Sequence, residues 1–394
     1  MPPATRQLAA LGAAGALALA LAACGQGAST GTPAAGVQTA AGTTSGSGRD
    51  AVAAGYPALA TKNTTRVSTA DPVGTAAAVA RIVFPDPAPA QRPRAVALAD
   101  AGDWRGALAG AVLMAPPLRA PLLYTANGDI PAETSQTLAA LAPTGAPSAA
   151  GAQAIRLGTA AAPGGLRTVS IPGSDPYTLA ANIDAYRARV AGSESRAVVV
   201  VSAQDPAYAM PAAAWAAKSG DPVLFTARDS LPQPTRAALA AHGRPRIYVL
   251  GPSSAVSSAV ASALSRLGTV TRIAASTPQA SAIAFARFVD GTFGWRIVDP
   301  GHGLVFASPA RAGDAGAAAP LSASGTYGPL LLTDARGGLP ASVASYLLDI
   351  KPGYSSDPVR GVYNHGWIVG DPDAVSVDTQ ASIDSLLEIA PVKP

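Results

Sequence analysis

Three copies of one short block constrain the fold of this chain more than any other feature of its sequence. Each block is an apolar strand that begins at proline and ends at threonine, and a second proline follows it. The blocks span residues 121–125, 222–226 and 329–333, and the second prolines are Pro131, Pro232 and Pro340. This spacing is too long for a solenoid repeat and suits a small domain.

The elements around each block follow one order. A β-rich run precedes it at residues 95–98, 198–201 and 304–306, then comes an Ala-rich helical stretch, and the second proline opens another helix. Copies two and three continue with a strand and a further helix, whereas copy one shows no convincing helix after residues 155–157. Short apolar strands alternating with helices predict an α/β fold with parallel sheets and right-handed crossovers. We therefore expect three similar modules, each a small parallel sheet flanked by helices, at residues 63–165, 166–269 and 270–394.

The N-terminus has the pattern of an export signal. Arg6 is followed by an apolar run at residues 8–21, too short to span a bilayer comfortably. The run ends in Leu21-Ala22-Ala23-Cys24, which resembles the bacterial lipobox, so we expect a signal peptide at 1–23 and a lipid on Cys24. Cys24 is the only cysteine, which excludes a disulfide framework; the alternative is a secretory peptide with a chance cysteine. Residues 24–62 predict a flexible Gly/Ser/Thr/Ala tether that holds an extracytoplasmic protein on the outer face of the membrane, facing the wall.

Composition and charge limit the classes of partner that this chain can bind. Hydrophobic residues make up 48% of the chain and charged residues 13%, so a large core is available. The net charge is only +4, and the sequence has no basic run, so we expect no nucleic-acid partner. Weak attraction to an anionic polymer is permitted.

Together these blocks make the sequence similar to the cell wall binding repeat type 2 family. Copy two carries the fullest match, from Val198 through the block at 222–226 to Ala255-Val256-Ser257, and the family's opening Arg-apolar pair has counterparts at residues 66–67 and 272–273. The resemblance implies three tandem modules packed with pseudo-threefold symmetry. It also implies non-covalent binding of an anionic wall polymer or a peptidoglycan-linked glycan.

Two departures from the family pattern bear on ligand binding. The family's Asp-Ala-Leu helix start becomes Gly106, Tyr208 and Asp314 at its first position, so only copy three keeps the acid. The family's double glycine becomes Gly158-Thr159, Gly251-Pro252 and Gly370-Asp371.

Enzymatic signals are weak. The three histidines, His242, His302 and His365, fall in different copies and different elements. His242 ends a helix, where a cation interacts favourably with the helix dipole. No nucleophile elbow and no spaced metal-ligand cluster is present, so we expect no catalytic residues, no metal and no cofactor.

Candidate ligand-binding residues lie where parallel strands end, because ligands of such sheets bind outside the carboxyl ends of the strands. These positions carry Asp103 and Trp104 in copy one, Gln204 and Asp205 in copy two, and Ser308 and Arg311 in copy three. Each also has a structural interpretation: Asp205 as a helix cap, Trp104 as packing, and the arginine as solvated surface. The block-ending threonines are expected to form hydrogen bonds at strand ends.

The sequence therefore predicts a non-catalytic, lipid-anchored surface protein that binds a cell-envelope polymer. A solute-binding lipoprotein of a transporter is the first alternative, and it predicts two lobes around a cleft instead of three copies. An envelope hydrolase is the second, and the absence of a concentrated catalytic constellation argues against it.

Overall fold

The structure is a computed structural model that describes residues 59–334 and 338–392. The predicted signal peptide, Cys24 and most of the tether lie outside the described residues. The end of the predicted tether, however, belongs to the fold, because Leu59–Ala60 (β1) pairs antiparallel with Thr64–Val67 (β2). The turn between these strands is held by Asp384 and Glu388, which accept hydrogen bonds from Thr61 and Lys62. The fold thus begins by residue 59, ahead of the predicted boundary at 63.

The first sheet has four parallel strands in the order β4-β3-β5-β6. These strands are Val96–Asp100 (β3), Leu122–Thr125 (β4), Ala154–Leu157 (β5) and Thr168–Ile171 (β6). Strand β4 is the first of the repeated blocks, and all its residues are buried. A continuous apolar run suits a parallel strand whose two faces are both covered.

The second sheet repeats this arrangement in the order β10-β9-β7-β8, again with all strands parallel. Its strands are Ala197–Ser202 (β7), Val223–Thr226 (β8), Arg246–Leu250 (β9) and Thr269–Ile273 (β10).

The third sheet has five strands in the order β1-β2-β14-β11-β12, and only the β1–β2 pair is antiparallel. It adds Gly303–Ala307 (β11), Leu330–Leu332 (β12) and His365–Val369 (β14). Gly353–Tyr354 (β13) and Ala390–Pro391 (β15) form a separate parallel pair.

The opening strand of each repeat pairs with the last strand of the preceding repeat's sheet. Strand β6 follows the predicted boundary at residue 165 but pairs with β5 of copy one, and β10 likewise completes the second sheet. The third sheet is completed by β2 from the start of the fold, with Arg66 opposite Ile368. The module limits 63–165, 166–269 and 270–394 thus follow the sequence repeat and do not coincide with the sheets.

Twelve α-helices and three short 3₁₀ helices occur in the described ranges. The α-helices are Pro72–Val83 (α1), Trp104–Gly110 (α2), Ala132–Leu141 (α3), Pro176–Ala191 (α4), Pro206–Ala209 (α5), Pro211–Ser219 (α6), Gln233–Ala241 (α7), Ser258–Leu264 (α8), Pro278–Arg287 (α9), Asp314–Ser322 (α10), Ala341–Asp349 (α11) and Val377–Leu386 (α12); the 3₁₀ helices are Ala111–Met114 (η1), Pro147–Ala149 (η2) and Pro358–Arg360 (η3). The first long helix of each repeat, α1, α4 or α9, starts with proline behind an Asp or Thr cap whose side chain accepts a backbone N–H. No helix appears between β5 and β6, which confirms the prediction for copy one.

The Ala-rich helices meet at the centre of the fold. Helix α2 with η1, helix α6 and helix α10 contact one another, and their facing residues are small. Close approach depends on Gly316, since a Cβ atom there would lie 2.8 Å from the carbonyl oxygen of Ala107. Small side chains at this centre explain why the sequence is so rich in alanine within the helices. The pseudo-threefold packing of the modules remains a prediction.

The repeat-opening arginine holds the loop of the neighbouring strand. Arg272 on β10 donates to the carbonyl oxygens of Gly251 and Val256 at 2.7 and 2.8 Å. Arg66 on β2 makes similar bonds, to Gly370, which matches Gly251, and to Ser376, one residue beyond the counterpart of Val256, at 2.9 and 3.3 Å. Burial lowers the pKa of Arg66 to about 10, so the guanidinium stays charged at neutral pH.

Copy one departs at this same point. Strand register places Ser170 of β6 where the other copies have the arginine. The arginine is therefore replaced in the one copy that lacks the helix after its third strand.

No helix within residues 59–334 and 338–392 is both long and apolar enough to cross a membrane.

Candidate functional site

Five of the predicted ligand-binding residues lie in the loops that follow the central strands β3, β7 and β11, and the sixth, Trp104, is the first residue of helix α2. Equivalent positions in the three copies are occupied by Asp103, Asp205 and Arg311. Each lies three residues before the position that matches the first residue of the family's Asp-Ala-Leu. All three loops thus lie at the carboxyl edges of their sheets, as the sequence predicts. Their contacts differ from copy to copy.

In copy one the loop residues join the first sheet to the second. Asp103 caps α2 by accepting the backbone N–H of Arg105 at 3.2 Å. The Trp104 ring packs edge-on against Phe225 of β8, with ring centroids 6.0 Å apart, and the Arg105 guanidinium lies 4.6 Å from the Trp104 ring. Asp103, Trp104 and Arg105 are each half-buried, so the junction has both a packed and a solvent-facing side.

In copy two the loop is more open. The Gln204 side chain is exposed and accepts the backbone N–H of Arg228 at 2.8 Å. Asp205 accepts a bond from the Ser202 hydroxyl at 3.4 Å, and its side chain makes no cap to helix α5. The interpretation of Asp205 as a side-chain cap is therefore wrong.

In copy three both predicted residues are occupied by contacts within the chain. Ser308 is fully buried, and its hydroxyl accepts the N–H of Ala310 at 3.3 Å. Arg311 lies 2.7 Å from a carboxylate oxygen of Asp314 and donates to the Thr69 carbonyl oxygen at 2.8 Å. The Arg311 side chain is 15% exposed, so little of it faces solvent.

The single acid retained from the family pattern is part of this buried network. Thr75 of α1 donates to Asp314 at 3.0 Å, and Asp314 has no exposed surface. Burial raises the pKa of Asp314, while Arg311 and Thr75 oppose the shift. At the equivalent junction of copies one and two, a Cβ atom at Gly106 would lie 2.5 Å from a carboxylate oxygen of Asp103 and 2.8 Å from Leu179, so the space there suits glycine. The Asp314–Thr75 bond of copy three therefore has no counterpart at this junction.

The six residues form two groups. Arg105 Nε donates to the carbonyl oxygen of Ala203 at 2.5 Å, which brings Asp103 and Trp104 of copy one close to Gln204 of copy two. The contacts of Arg311 run instead to the start of α1 and to Asp371 after β14. The first group, at the junction of copies one and two, keeps polar atoms open to solvent.

The block-ending threonines hold strand ends. Thr125 and Thr333 donate to the carbonyl oxygens of Ala99 and Ala307, both at 3.4 Å. All three, including Thr226, are buried. The expected strand-end hydrogen bond is therefore confirmed for Thr125 and Thr333, whereas the buried Thr226 hydroxyl has no partner among the described residues.

His242 is the C-cap of α7, as the sequence indicates, and it has two partners that the sequence did not predict. Its Nε2 lies 2.8 Å from Asp184, and its Nδ1 lies 2.8 Å from the carbonyl oxygen of Ser195. A carboxylate and a carbonyl oxygen both accept hydrogen bonds, so the doubly protonated ring can donate to each of them. Burial alone would lower the pKa of His242, but the bonds to Asp184 and Ser195 together with the nearby Glu194 raise it.

This cluster is also the one place in the described ranges where three possible metal ligands converge. One oxygen each of Asp184 and Glu194 and a ring nitrogen of His242 lie within 4.8 Å of one another. The two carboxylates face opposite ring nitrogens, at 2.8 Å from Nε2 and 3.7 Å from Nδ1. This geometry suits a buried ion pair better than a shared metal ion.

A polar recess lies at the edge of the first sheet opposite the one that carries Asp103 and Trp104. A cavity of about 360 Å³ opens at the amino edge of the first sheet, between the end of α1 and the segment before β4. Arg92, Arg94 and Arg119 line it. Arg92 lies within the proline-rich stretch 85–93 and Arg94 directly follows it, and this pairing is the signal in the sequence.

Comparisons with known proteins agree with the resemblance. Residues 170–261 match the family of cell wall binding domain 2 (CWB2), and this is the copy in which the repeat is most complete. A search of curated proteins found no match.

Two solved structures share the fold. Cwp6 from Clostridium difficile has a TM-score of 0.64 at 17% identity, over 83% of this chain and 48% of that one. Cwp8 from Clostridium difficile has a TM-score of 0.63 at 18% identity, over 83% of this chain and 52% of that one. The chain thus spans about half the length of either protein. These likenesses confirm the predicted α/β fold with parallel sheets flanked by helices.

Proposed function

We propose that this chain is a cell-surface protein that binds a polymer of the cell wall and has no catalytic activity. The match of residues 170–261 to cell wall binding domain 2 is the observation that carries the proposal. The fold shared with Cwp6 and Cwp8 supports the same architecture around that segment.

The junction of copies one and two has the chemistry that a glycan surface requires. Asp103, Gln204 and Asp205 present carboxylate and amide groups that can bind sugar hydroxyls. Trp104 is half-buried beside them, and an aromatic ring of this kind can contact a sugar. Ser308 and Arg311 remain candidates from the sequence, but their contacts in copy three favour a structural role.

An anionic polymer is the favoured ligand class. The chain has a net charge of +4, and three arginines line the polar recess at the amino edge of the first sheet. A positively charged protein surface attracts a polyanion at distances up to about a Debye length, roughly 8 Å at physiological salt. Binding should therefore weaken as salt rises.

The three-sheet architecture supports a binding module over a solute-binding lipoprotein. The described residues contain three main sheets of related order, whereas the alternative predicts two lobes around a cleft.

Membrane attachment through a lipid on Cys24 belongs to the proposal and is supported by the sequence of residues 6–24. With an anchor already present, wall binding would bridge membrane and wall instead of providing retention. Replacing the thiol in Cys24→Ser should move the protein from the membrane fraction to the soluble fraction of cells. Unchanged membrane association would contradict the anchor.

Cosedimentation with purified cell walls tests the binding proposal. The whole chain carrying Cys24→Ser is mixed with walls before and after chemical removal of their anionic polymers. We expect the protein to pellet only with untreated walls, in a salt-dependent manner. Failure to pellet with either preparation would refute wall binding, and equal pelleting with both would refute an anionic ligand.

A further inference from the structure

The cavity at the amino edge of the first sheet is lined by more arginines than acidic residues. It is formed by the end of α1, by the stretch that leads into β3, and by the segment before β4. Its lining is Val83, Phe84, Pro85, Asp86, Ala90, Gln91, Arg92, Pro93, Arg94, Pro117 and Arg119. Three guanidinium groups and one carboxylate therefore surround a space of about 360 Å³, a volume typical of a small-ligand site.

The cavity arginines lack counter-ions within the fold. In residues 59–334 and 338–392, no carboxylate forms an ion pair with Arg92, Arg94 or Arg119. The carboxylate of Asp86 is engaged with the N–H of Ala88 at 2.8 Å. Arg92 uses Nε to donate to the Pro87 carbonyl oxygen at 2.6 Å, which fixes its side chain and leaves its terminal nitrogens for another acceptor.

The wall of the cavity is preorganised. Prolines at 85, 87, 93 and 117 restrict the backbone of both segments, which lowers the entropy lost when a ligand binds. Arg119 has a φ of 49°, a left-handed conformation that is uncommon for arginine. Its guanidinium lies 5.8 Å from the ring of Phe84, so an aromatic surface is part of the same recess.

The same edge of the second sheet has the opposite charge. A recess there is lined by Asp184, Glu194 and Asp221 with one arginine, Arg187. Arginine enrichment is thus a property of copy one and not of the repeat as such.

We propose that the arginine cavity binds one anionic sugar unit of the wall polymer, with a phosphate or carboxylate group held by Arg92, Arg94 and Arg119. Arginine matches these groups because its planar guanidinium can donate two parallel hydrogen bonds. Phe84 and the prolines supply apolar surface for the sugar ring. The polymer as source rests on the proposed function, and the chemistry of the site rests on the cavity alone.

Binding of glucose 1-phosphate to the whole chain carrying Cys24→Ser tests the site, measured by calorimetric titration. The test variant combines Arg92→Gln, Arg94→Gln and Arg119→Gly, because glycine retains the left-handed backbone at 119 without strain. The matched control is Arg244→Gly, since Arg244 is also exposed and has a φ of 67° far from the cavity. Thermal unfolding of each variant shows that it is folded.

We expect glucose 1-phosphate to bind, glucose not to bind, and the triple variant to weaken binding at least about tenfold while the control leaves it unchanged. Equal affinity of the triple variant, or no binding by the parent chain, would overturn the site. Arginine-dependent binding to phosphatidylglycerol vesicles without binding of the sugar phosphate would also overturn it, because the ligand would then be a lipid surface. Arginine-dependent sugar-phosphate binding without wall retention would uphold the site and refute the proposed function.

Discussion

At the residue scale, one group of buried charges lies at the junction between the third repeat and the first. Arg311 and Asp314 of copy three meet Thr75 of copy one, and Tyr124 of β4 donates to the carbonyl oxygen of Gly313 at 2.6 Å. Removing one partner of such a pair leaves the other charge without compensation in a dry environment. These side chains therefore hold the third repeat against the first.

Arg311→Ala should destabilise the fold by about 3 kcal/mol, because the Asp314 carboxylate would stay buried without its cation. The pair replacement Arg311→Met with Asp314→Leu should recover much of that loss. Denaturant unfolding of the single and double variants measures both effects. A single variant that loses wall binding but keeps its unfolding midpoint would show that Arg311 contacts ligand instead.

His242 gives the fold a pH dependence with a defined sign. Its pKa in the folded state is raised above the usual value of 6.5, so the imidazolium stabilises the fold fully below that value. The stabilisation is lost as pH rises through the folded-state pKa. The free energy of unfolding of the parent chain should therefore exceed that of His242→Gln most at low pH, with the gap closing as pH rises.

Urea unfolding at several pH values measures this gap. Asp184→Asn serves as the control, since it removes the main partner of the ring and should reduce the same pH dependence. A constant gap across the pH range would contradict the ion pair.

At the element scale, the main lesson concerns strand exchange between repeats. Each repeat-opening strand pairs with the third strand of the preceding copy, and in two copies its arginine bonds the loop beyond that strand. A segment that folds by itself must therefore contain the opening strand of the next repeat.

Two fragments of similar length test this consequence. Fragment 175–275 contains β7 to β10 and Arg272, whereas fragment 166–269 carries β6 without its partner and lacks nearly all of β10. We expect fragment 175–275 to be the more stable, with a sharper thermal transition and slower amide exchange in β9. Equal or greater stability of 166–269 would contradict the exchange.

The local elements of this fold could be predicted from the sequence, and their pairing could not. The predicted β-rich runs at 198–201 and 304–306 lie within β7 and β11, and the repeated blocks contain β4, β8 and β12. The pairing of β2 with β14 joins segments that are distant in the chain, and no local pattern encodes such a contact.

The candidate site shows the same limit. Strand ends could be located, so the carboxyl-edge loops were predicted correctly. The partners of Ser308 and Arg311 come from backbone and from another copy, which the sequence does not reveal. The arginine cavity was missed because its walls are irregular proline-rich segments without periodicity.

At the scale of the whole molecule, the first strands of the described fold pair with the sheet of the last repeat. Strands β1 and β2 form the outer part of the third sheet, so the start of the described chain lies beside its last repeat. A tether from the membrane would therefore enter at the third sheet, while the arginine cavity lies at the amino edge of the first. Such a protein could hold the wall polymer at a site separate from its anchor.

The most direct test of the central claim is the dissociation constant for the anionic polymer itself, released from cell walls and purified. Calorimetric titration into the whole chain carrying Cys24→Ser provides it, with neutral peptidoglycan fragments as the control. The account predicts saturable binding of the anionic polymer that weakens as salt is raised, and no binding of the neutral fragments. Absence of binding to the anionic polymer, at low as well as physiological salt, would contradict it.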